Sequence, residues 1–227
     1  MKVNLVSYQK PAATAEFEKC DTIQDLVAVC ARVSNPSNQF NTDTSERLLK
    51  YLMKHKHWSP FEMVSVCMEI ETTRDIARQI LRHRSFSFQE FSQRYADPVK
   101  ELSFVTREAR IQDIKNRQNS LETDDLPLKA EWEKKQQELI NLAKETYQWA
   151  VSNGIAKEQA RAVLPEGNTV SRMYMNGTLR SWIHYIELRA SNGTQKEHSE
   201  IAKACAEVIN EIAPFLKVDN KPSGVGF

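Results

Sequence analysis

The sequence lacks the glycine-rich motifs that hold nucleotide phosphates in many enzymes. No G-x-G-x-x-G, G-x-x-x-x-G-K-[ST] or G-x-S-x-G pattern occurs in its 227 residues. A Rossmann dinucleotide site and a P-loop are therefore unsupported. A Ser/His/Asp triad stays open, because its members can stand far apart in a sequence, but no pattern points to one.

Cysteine and histidine form no recognisable metal motif. No C-x-x-C pair occurs, and no set of cysteines and histidines has the spacing of zinc ligands. His55, His57 and His83 are the nearest candidates, but the carboxylates that usually accompany metal-binding histidines are not evident. We predict no metal site, and free thiols that are buried or partly buried in a reducing cytosol. The four cysteines are Cys20, Cys30, Cys67 and Cys205.

The sequence also lacks a long apolar run and an excess of charge of one sign. No run approaches the ~18 residues of a membrane span, and the first residues lack the apolar core of a signal peptide. We therefore expect a cytoplasmic protein without a membrane partner. Lysine and arginine total 31 against 30 aspartates and glutamates, a net charge of +1. A general nucleic-acid binder is more often basic, so no nucleic-acid partner is expected.

Hydrophobic periodicity predicts a helix-rich chain with at least two strands. Apolar and polar residues alternate over residues 62–71, which indicates a half-buried strand, and residues 2–8 predict an opening strand. Helical spacing predicts helices over the following ranges: 22–32, 44–54, 73–82, 128–151, 155–164, 178–190 and 195–212. Residues 100–130 form a polar excursion, and no linker is long enough to divide residues 1–227 into two domains.

Residues 82–95 have the most unusual composition. They combine three arginines and a histidine with amide, acid and hydroxyl side chains. A guanidinium group matches phosphate or carboxylate oxygens two at a time, and serine adds a further donor. On the preceding predicted helix, polar residues share one arc: Arg74, Arg78, Gln79 and Arg82. That arc alone fits a solvated helix face equally well. However, positively charged residues continue past the predicted helix as Arg82-His83-Arg84, which indicates a site for an anionic small molecule.

A second polar cluster lies on the predicted helix 178–190. Arg180 and His184 are four residues apart and share one face. Arg189 falls beside the apolar face, where it must snorkel to water or meet a buried anion. For Arg161, just before a proline-terminated helix, a surface charge is the usual explanation.

Several of these segments together resemble a known family. The arrangement Arg82-His83-Arg84, seven residues and then Ser92-x-Arg94 resembles the signature of the flavin-dependent thymidylate synthases. Further segments appear in the family's order: ARVS at 31–34, His57-x-x-Pro60-Phe61-Glu62, Gln79-x-x-Arg82, RAVLP at 161–165, Arg180 to His184, and Leu188-Arg189. The resemblance extends from about residue 25 to residue 212.

The resemblance implies an enzyme that methylates deoxyuridylate (dUMP) to thymidylate (dTMP). Methylenetetrahydrofolate is the implied carbon donor and a reduced nicotinamide, usually NADPH, the implied reductant, while FAD carries reducing equivalents and the one-carbon unit. The implied fold is α/β (α+β), a single compact domain with a central mixed or antiparallel sheet flanked by helices. The implied working form is a homotetramer whose active sites are shared between subunits.

The resemblance also implies roles for individual residues. The implied dUMP site comprises Gln79, Arg82, Glu90, Phe91, Ser92, Gln93, Arg94 and Arg189, with Arg161 completing it from another subunit. Arg189 is the implied catalytic residue, because its permanent charge can stabilise the developing anion of the uracil ring. The implied FAD-binding residues are Ser34, His57, Ser59, Glu62, Arg82, His83, Arg84, Thr178, Leu179, Arg180 and His184.

Some positions depart from the family pattern, and the cysteines lie outside it. Thr178 replaces the asparagine of many members, Met63 a frequent histidine, and Gln93 a frequent glycine. A backbone N–H contact at residue 93 survives the last change if the local φ is compatible. No cysteine stands in the arginine-rich motifs, which agrees with a mechanism that uses no cysteine nucleophile.

Two other readings compete with the enzyme. A nucleic-acid or nucleotide-binding module could use the arginines with Phe86, Phe88 and Phe91 as stacking groups. The near-neutral net charge opposes that reading, which also leaves Arg189 and His184 unexplained. An inactive paralogue retained for its structure is the third reading, and the intact arginines oppose it.

Overall fold

The computed structural model describes residues 1–191 and 193–216, so residues 217–227 of the predicted domain lie outside the described part. Its strands are β1 (Lys2–Tyr8), β2 (Ser65–Thr73), β3 (Phe86–Glu90), β4 (Ile111–Gln112), β5 (Ser120–Leu121) and β6 (Val170–Thr178). Its α-helices are α1 (Ile23–Ala31), α2 (Ser45–Lys54), α3 (Arg74–Ile80), α4 (Pro98–Glu101), α5 (Leu126–Ser152), α6 (Lys157–Ala160), α7 (Leu179–Arg189) and α8 (Lys196–Ile212).

An antiparallel sheet in the order β1-β2-β6-β3 lies at the centre of the described chain. Met68 of β2 and Met173 of β6 are fully buried, whereas the next residues, Glu69 and Tyr174, point to the other face. The helices α7 and α8 pack with the buried face in one apolar core. The predicted combination of helices with a central sheet is therefore confirmed, and the sheet is antiparallel.

Two strands of the central sheet escape the sequence prediction, which assigned no strand to residues 86–90 or to residues 170–178. In β3, Phe86 and Phe88 pack on the core while Ser87 lies exposed between them. This alternation is typical of a half-buried strand, but the surrounding arginines favoured a ligand-binding loop. β3 and β6 pair with each other in the sheet. Each strand is therefore stabilised by hydrogen bonds to a partner that its own sequence pattern does not identify.

Several predicted boundaries are displaced by local backbone chemistry. Residues 59–62 form a 3-10 turn in which Pro60 occupies the second position, so β2 begins only at Ser65. α3 ends at Ile80, not near residue 82, and the chain turns there to enter β3. α5 begins two residues earlier than predicted, because the Asp125 carboxylate accepts the Leu128 N–H and caps the helix.

The polar excursion at residues 100–130 is attached to the domain at both of its ends. Arg107 Nη2 lies 2.7 Å from Asp75 Oδ1 on α3, and Gln136 on α5 accepts the Arg107 N–H at 2.8 Å. Beyond it, β4 and β5 form a short hairpin. Lys196, the first residue of α8, pairs with Glu108 and lies 3.8 Å from Glu122. The excursion therefore lies beside the connection between α7 and α8.

Gly177 of β6 allows the Phe86 ring to approach the sheet backbone. A Cβ atom at residue 177 would lie 2.6 Å from Phe86 Cε1, and that ring packs edge-on against Trp182 with centroids 4.9 Å apart. Because the ring is confined, we expect Gly177→Ala to lower the free energy of unfolding in urea by about 1–3 kcal/mol. Gly167→Ala is the control, since nothing lies within 4 Å of its new Cβ. Equal unfolding midpoints for the two variants would contradict this packing.

Within the described residues, no helix combines the length and the apolar character that crossing a bilayer requires. All four cysteines are free, and each is buried or half-buried as predicted.

Candidate active site

Helix α7 brings several of the predicted segments together along its length. Thr178 caps the helix by accepting the Ser181 N–H at 3.2 Å, and the Ser181 hydroxyl donates to the Ser85 carbonyl at 3.3 Å. One turn on, the His184 ring packs edge-on against Trp58 with centroids 4.7 Å apart. The first turn of α7 therefore lies beside the end of the Arg-His-Arg segment, and its middle lies beside the segment that contains His57.

Arg189, at the carboxyl end of α7, meets the histidine of the Arg-His-Arg segment. Arg189 Nε donates to His83 Nε2 at 3.0 Å. A guanidinium group can only donate, so His83 must be neutral with its proton on Nδ1. Burial first, and then the charge of Arg189, lower the pKa of His83 and keep it neutral. The contact leaves the terminal nitrogens of Arg189 available to a ligand.

A buried histidine on α8 joins this cluster. His198 is fully buried, with Nδ1 3.2 Å from Gln79 Oε1 and Nε2 3.2 Å from the Tyr185 hydroxyl. Its ring centroid lies 6.3 Å from that of His83. Burial, followed by Arg189 and His83, lowers the pKa of His198 to about 3. The cluster therefore combines one permanent cation with two neutral imidazoles.

The arginine arc of α3 is not a solvated face throughout. Arg74 is only 6% exposed, and its guanidinium lies 3.7 Å from Glu90 and 3.8 Å from Glu166. Arg78 approaches the same two carboxylates at 3.5 and 3.7 Å. The Ser171 hydroxyl also donates to Glu90 at 2.8 Å. In a single chain, Glu90 thus faces α3 and β6, and any contact with a nucleotide must share its oxygens with these partners.

The predicted residues beyond β3 form a separate group. Arg94 Nε donates to Glu158 Oε2 at 3.1 Å, and Arg161 Nε donates to the Glu158 carbonyl at 3.3 Å. Ser92 is exposed. Gln93 is 3% exposed, and its Nε2 has no hydrogen-bond partner among the described residues. Phe91 is partly buried, and its N–H donates to the Arg172 carbonyl at 2.9 Å.

The predicted dUMP residues therefore fall into two groups within one chain. Gln79 and Arg189 lie at the start of β3, Arg189 through its contact with the flavin candidate His83, whereas Arg94 and Arg161 share Glu158 beyond the end of β3. The five extended residues of β3 separate the two groups by roughly 16 Å along the chain. Within the described residues no hydrogen bond or ion pair joins one group to the other.

The predicted flavin residues surround the start of α7 and the Arg-His-Arg segment. Arg82 and Arg84 are exposed, and in the described part of the chain their guanidinium groups make no ion pair or hydrogen bond. Arg180 pairs with Glu62. Ser34, His57 and Ser59 are exposed.

Leu179 and Thr178 have structural partners already. The Leu179 side chain is fully buried, its N–H donates to the Val64 carbonyl at 2.8 Å, and its carbonyl accepts a helical hydrogen bond in the first turn of α7. The Thr178 hydroxyl caps α7.

Because His83 is bonded to Arg189, it does not join His55 and His57, whose rings lie 6.2 Å apart. Within the described residues no three histidine, cysteine or carboxylate side chains are placed to bind a metal ion.

Residues 17–215 match the family model described as "Thymidylate synthase complementing protein". The chain belongs to this family. A protein named probable flavin-dependent thymidylate synthase, from Paramecium bursaria Chlorella virus 1, is 50% identical over 216 residues, 95% of this chain and 97% of the relative. A flavin-dependent thymidylate synthase of Synechocystis sp. is 46% identical with the same coverage of both chains.

A solved structure shares the fold of this thymidylate synthase family member. It is the UMP/dUMP methylase PolB from Streptomyces cacaoi, crystallised with 5-Br dUMP. The TM-score is 0.75 and the sequences are 26% identical, over 94% of this chain and 91% of the other.

Sequence reasoning missed His198 and Tyr185 in the site of this family member. A signal for His198 was present, because His198, Ile201, Ala202 and Cys205 share the apolar face of the predicted helix 195–212. A histidine on such a face needs polar partners. The sequence could not name those partners, since Gln79 and Tyr185 lie 119 and 13 residues away.

Proposed function

We propose that this protein is a flavin-dependent thymidylate synthase that methylates dUMP to dTMP. Methylenetetrahydrofolate is the carbon donor, NADPH the reductant and FAD the cofactor. The observation that carries the proposal is the contact between Arg189 and His83, which joins the implied catalytic arginine to the signature segment across 106 residues. The family match and the names of the relatives support the same reaction.

The exposed cations fit the flavin. FAD has a diphosphate, and Arg82 and Arg84 present two guanidinium groups without described partners, a donor set that suits such an anion. Arg180 and His184 on α7 lie beside this segment and complete the proposed binding surface. When bound, FAD supplies the redox chemistry and carries the one-carbon unit.

The protein's own residues bind dUMP and polarise its ring. Arg189 remains charged at every working pH, so it stabilises negative charge on the uracil ring rather than taking a proton. His83 orients Arg189 by accepting from Nε. Ser92, Arg94 and Arg161 provide a hydroxyl and two guanidinium groups, which suit the phosphate.

The cysteines are unsuited to attack the ring. Burial raises the pKa of the Cys30 and Cys67 thiols, and burial followed by Asp25 and Asp21 raises that of Cys20. A raised pKa reduces the thiolate fraction, and the thiolate is the nucleophile. Cys205 is fully buried, which raises the pKa of its thiol further. This supports ring activation without a cysteine nucleophile.

The separation of the two dUMP groups supports a homotetramer with shared sites. Arg189 and Arg161 belong to different groups of one chain, so in the assembly Arg161 of another subunit completes the site that contains Arg189. α5 offers apolar surface for such contacts, with Trp132, Leu139, Leu142 and Trp149 between 45 and 62% exposed. Runs of exposed large apolar residues mark interaction surfaces. The cytoplasmic location stays a prediction.

The aromatic residues oppose the nucleic-acid reading. Phe86 and Phe88 pack against the core, and Phe86 also contacts Trp182 and Tyr185. Their rings are therefore engaged inside the protein and do not form a stacking platform for bases.

The decisive measurement is the absorption spectrum of natively purified protein. We expect a yellow protein whose flavin bands bleach when NADPH is added and shift when dUMP is added. Adding methylenetetrahydrofolate as well should then yield dTMP. Apoprotein that takes up no FAD from solution would overturn the proposal.

A further inference from the structure

A chain of hydrogen bonds links the surface of α8 to the centre of the site. Gln195 Nε2 donates to Glu197 Oε2 at 2.9 Å, and Gln79 Nε2 donates to Gln195 Oε1 at 2.9 Å. His198 then connects Gln79 to Tyr185, with both contacts at 3.2 Å. The five side chains join α3, α7 and α8 through one continuous path.

The carboxylate of Glu197 fixes the direction of every bond in this path. A carboxylate only accepts, so the Gln195 nitrogen must face it and the Gln195 oxygen must face Gln79. That oxygen also only accepts, so the Gln79 nitrogen faces it and the Gln79 oxygen faces His198. His198 must therefore donate from Nδ1.

The same logic fixes the far end of the path. With its proton on Nδ1, the neutral ring of His198 can only accept at Nε2, so the Tyr185 hydroxyl donates to it. A reversed path would place the Gln195 oxygen against the Glu197 carboxylate, which repels it. His198 thus donates to the Gln79 oxygen and, together with the acceptor of Gln195, holds the Gln79 carboxamide in one of its two orientations.

This orientation defines what Gln79 can offer a ligand. A carboxamide has two N–H groups and two lone pairs. Gln195 uses one N–H and His198 one lone pair, so one donor and one acceptor remain in a fixed arrangement. Uracil has neighbouring carbonyl and N–H groups on its ring, which a paired donor and acceptor match.

We propose that His198 is a positioning residue that orients the Gln79 carboxamide to read the pyrimidine ring of dUMP. The inference rests on the proposed function, since dUMP is the ligand. It places Gln79 at the ring, on which Arg189 also acts, while Ser92, Arg94 and Arg161 bind the phosphate. His198 itself touches neither substrate nor cofactor and acts through Gln79.

Two substitutions of His198 separate its two hydrogen bonds. Asparagine has an amide N–H at the place of Nδ1, so His198→Asn keeps the donor to Gln79 and loses the contact to Tyr185. Glutamine reaches the place of Nε2, so His198→Gln keeps Tyr185 and loses Gln79. Each variant loses one of the two hydrogen bonds of His198. We therefore expect the two variants to have similar free energies of unfolding.

The readout is the dissociation constant of dUMP, measured by its perturbation of the flavin spectrum and by calorimetry. We expect His198→Gln to weaken dUMP binding about tenfold, as the loss of one buried hydrogen bond does, and His198→Asn to bind within about twofold of wild type. FAD affinity and melting temperature should change equally in both. Equal dUMP affinities in the two variants would overturn the inference.

A double-variant cycle tests whether the effect passes through Gln79. In a Gln79→Met background, changing His198 to Gln should weaken dUMP binding no further. A second tenfold loss in that background would show that His198 acts by another route.

Glu197→Gln gives an independent test at the partly exposed end of the path, where folding is little affected. Without the carboxylate, both orientations of the path are possible, so dUMP affinity should fall about twofold through loss of the competent population. Unchanged affinity in Glu197→Gln would contradict the anchoring by Glu197. Failure of the wild-type protein to bind dUMP would instead overturn the proposed function, so the two failures are distinguishable.

Discussion

Arg189→Ala should reduce dTMP formation by about 10²–10³-fold while the protein still binds FAD. A preorganised cation aimed at developing charge contributes an effect of this size. Arg189 lies at the end of α7 with its Nε held by His83, so its removal takes away a fixed charge without opening the central core. Product formation in a single turnover and the flavin spectrum measure the two properties separately.

The control for this variant is Arg172→Ala, which removes an exposed arginine from the outer face of β6. We expect Arg172→Ala to retain both FAD and activity. Arg189→Lys should recover only part of the activity, because lysine retains the charge but lacks the planar fork that His83 orients. Normal turnover in Arg189→Ala would show that the assigned role is wrong.

Mixing two inactive variants tests the sharing of sites between chains. If Arg189 comes from one subunit and Arg161 from another, a site built from an Arg161→Ala chain and an Arg189→Ala chain can contain both arginines. With equal amounts and random assembly, about a quarter of the sites should be intact, since each of the two positions is filled correctly half the time. A verified mixed oligomer without recovered activity would contradict shared sites.

The sequence predicted those parts of the fold that local chemistry determines. The long helices α5 and α8 begin and end within about two residues of their predictions because their periodic patterns and caps are local. β3 and β6 were missed, because they complete a sheet whose partners lie far away in sequence. Tertiary pairing decided their structure, and the five-residue pattern of β3 in particular carries little of that information.

The candidate site was also predicted from the sequence only in part. The Arg-His-Arg motif and Arg189 were predicted, and the structure brings His83 and Arg189 into contact. The burial of Arg74 was not foreseen, since its partners Glu90 and Glu166 approach from a strand and a loop that the helical pattern cannot locate. The motifs predicted which residues belong to the candidate site. The partners of its buried polar groups could not be predicted, because tertiary contacts bring them together from distant parts of the sequence.

Acidification should destabilise this protein through His198. The pKa of its imidazole is about 3 in the folded chain, against about 6.5 in an unfolded one. Below about pH 6.5 the unfolded state therefore binds a proton that the folded state does not, so the free energy of unfolding falls as the pH drops from about 6.5 toward about 3. At about pH 5 the loss from this residue is roughly 2 kcal/mol.

His198→Asn isolates this contribution, because asparagine does not titrate while keeping the bond to Gln79. The carboxylates and His83 titrate in both proteins, so the difference between their urea-unfolding curves reports His198. We expect that difference to be constant above about pH 7 and to change by roughly 2 kcal/mol in favour of the variant by about pH 5. Parallel pH profiles would mean that His198 takes up a proton in the folded protein as readily as in the unfolded one. An imidazolium donates from both nitrogens and cannot accept from Tyr185, so such easy protonation would contradict the hydrogen-bonded path that orients Gln79.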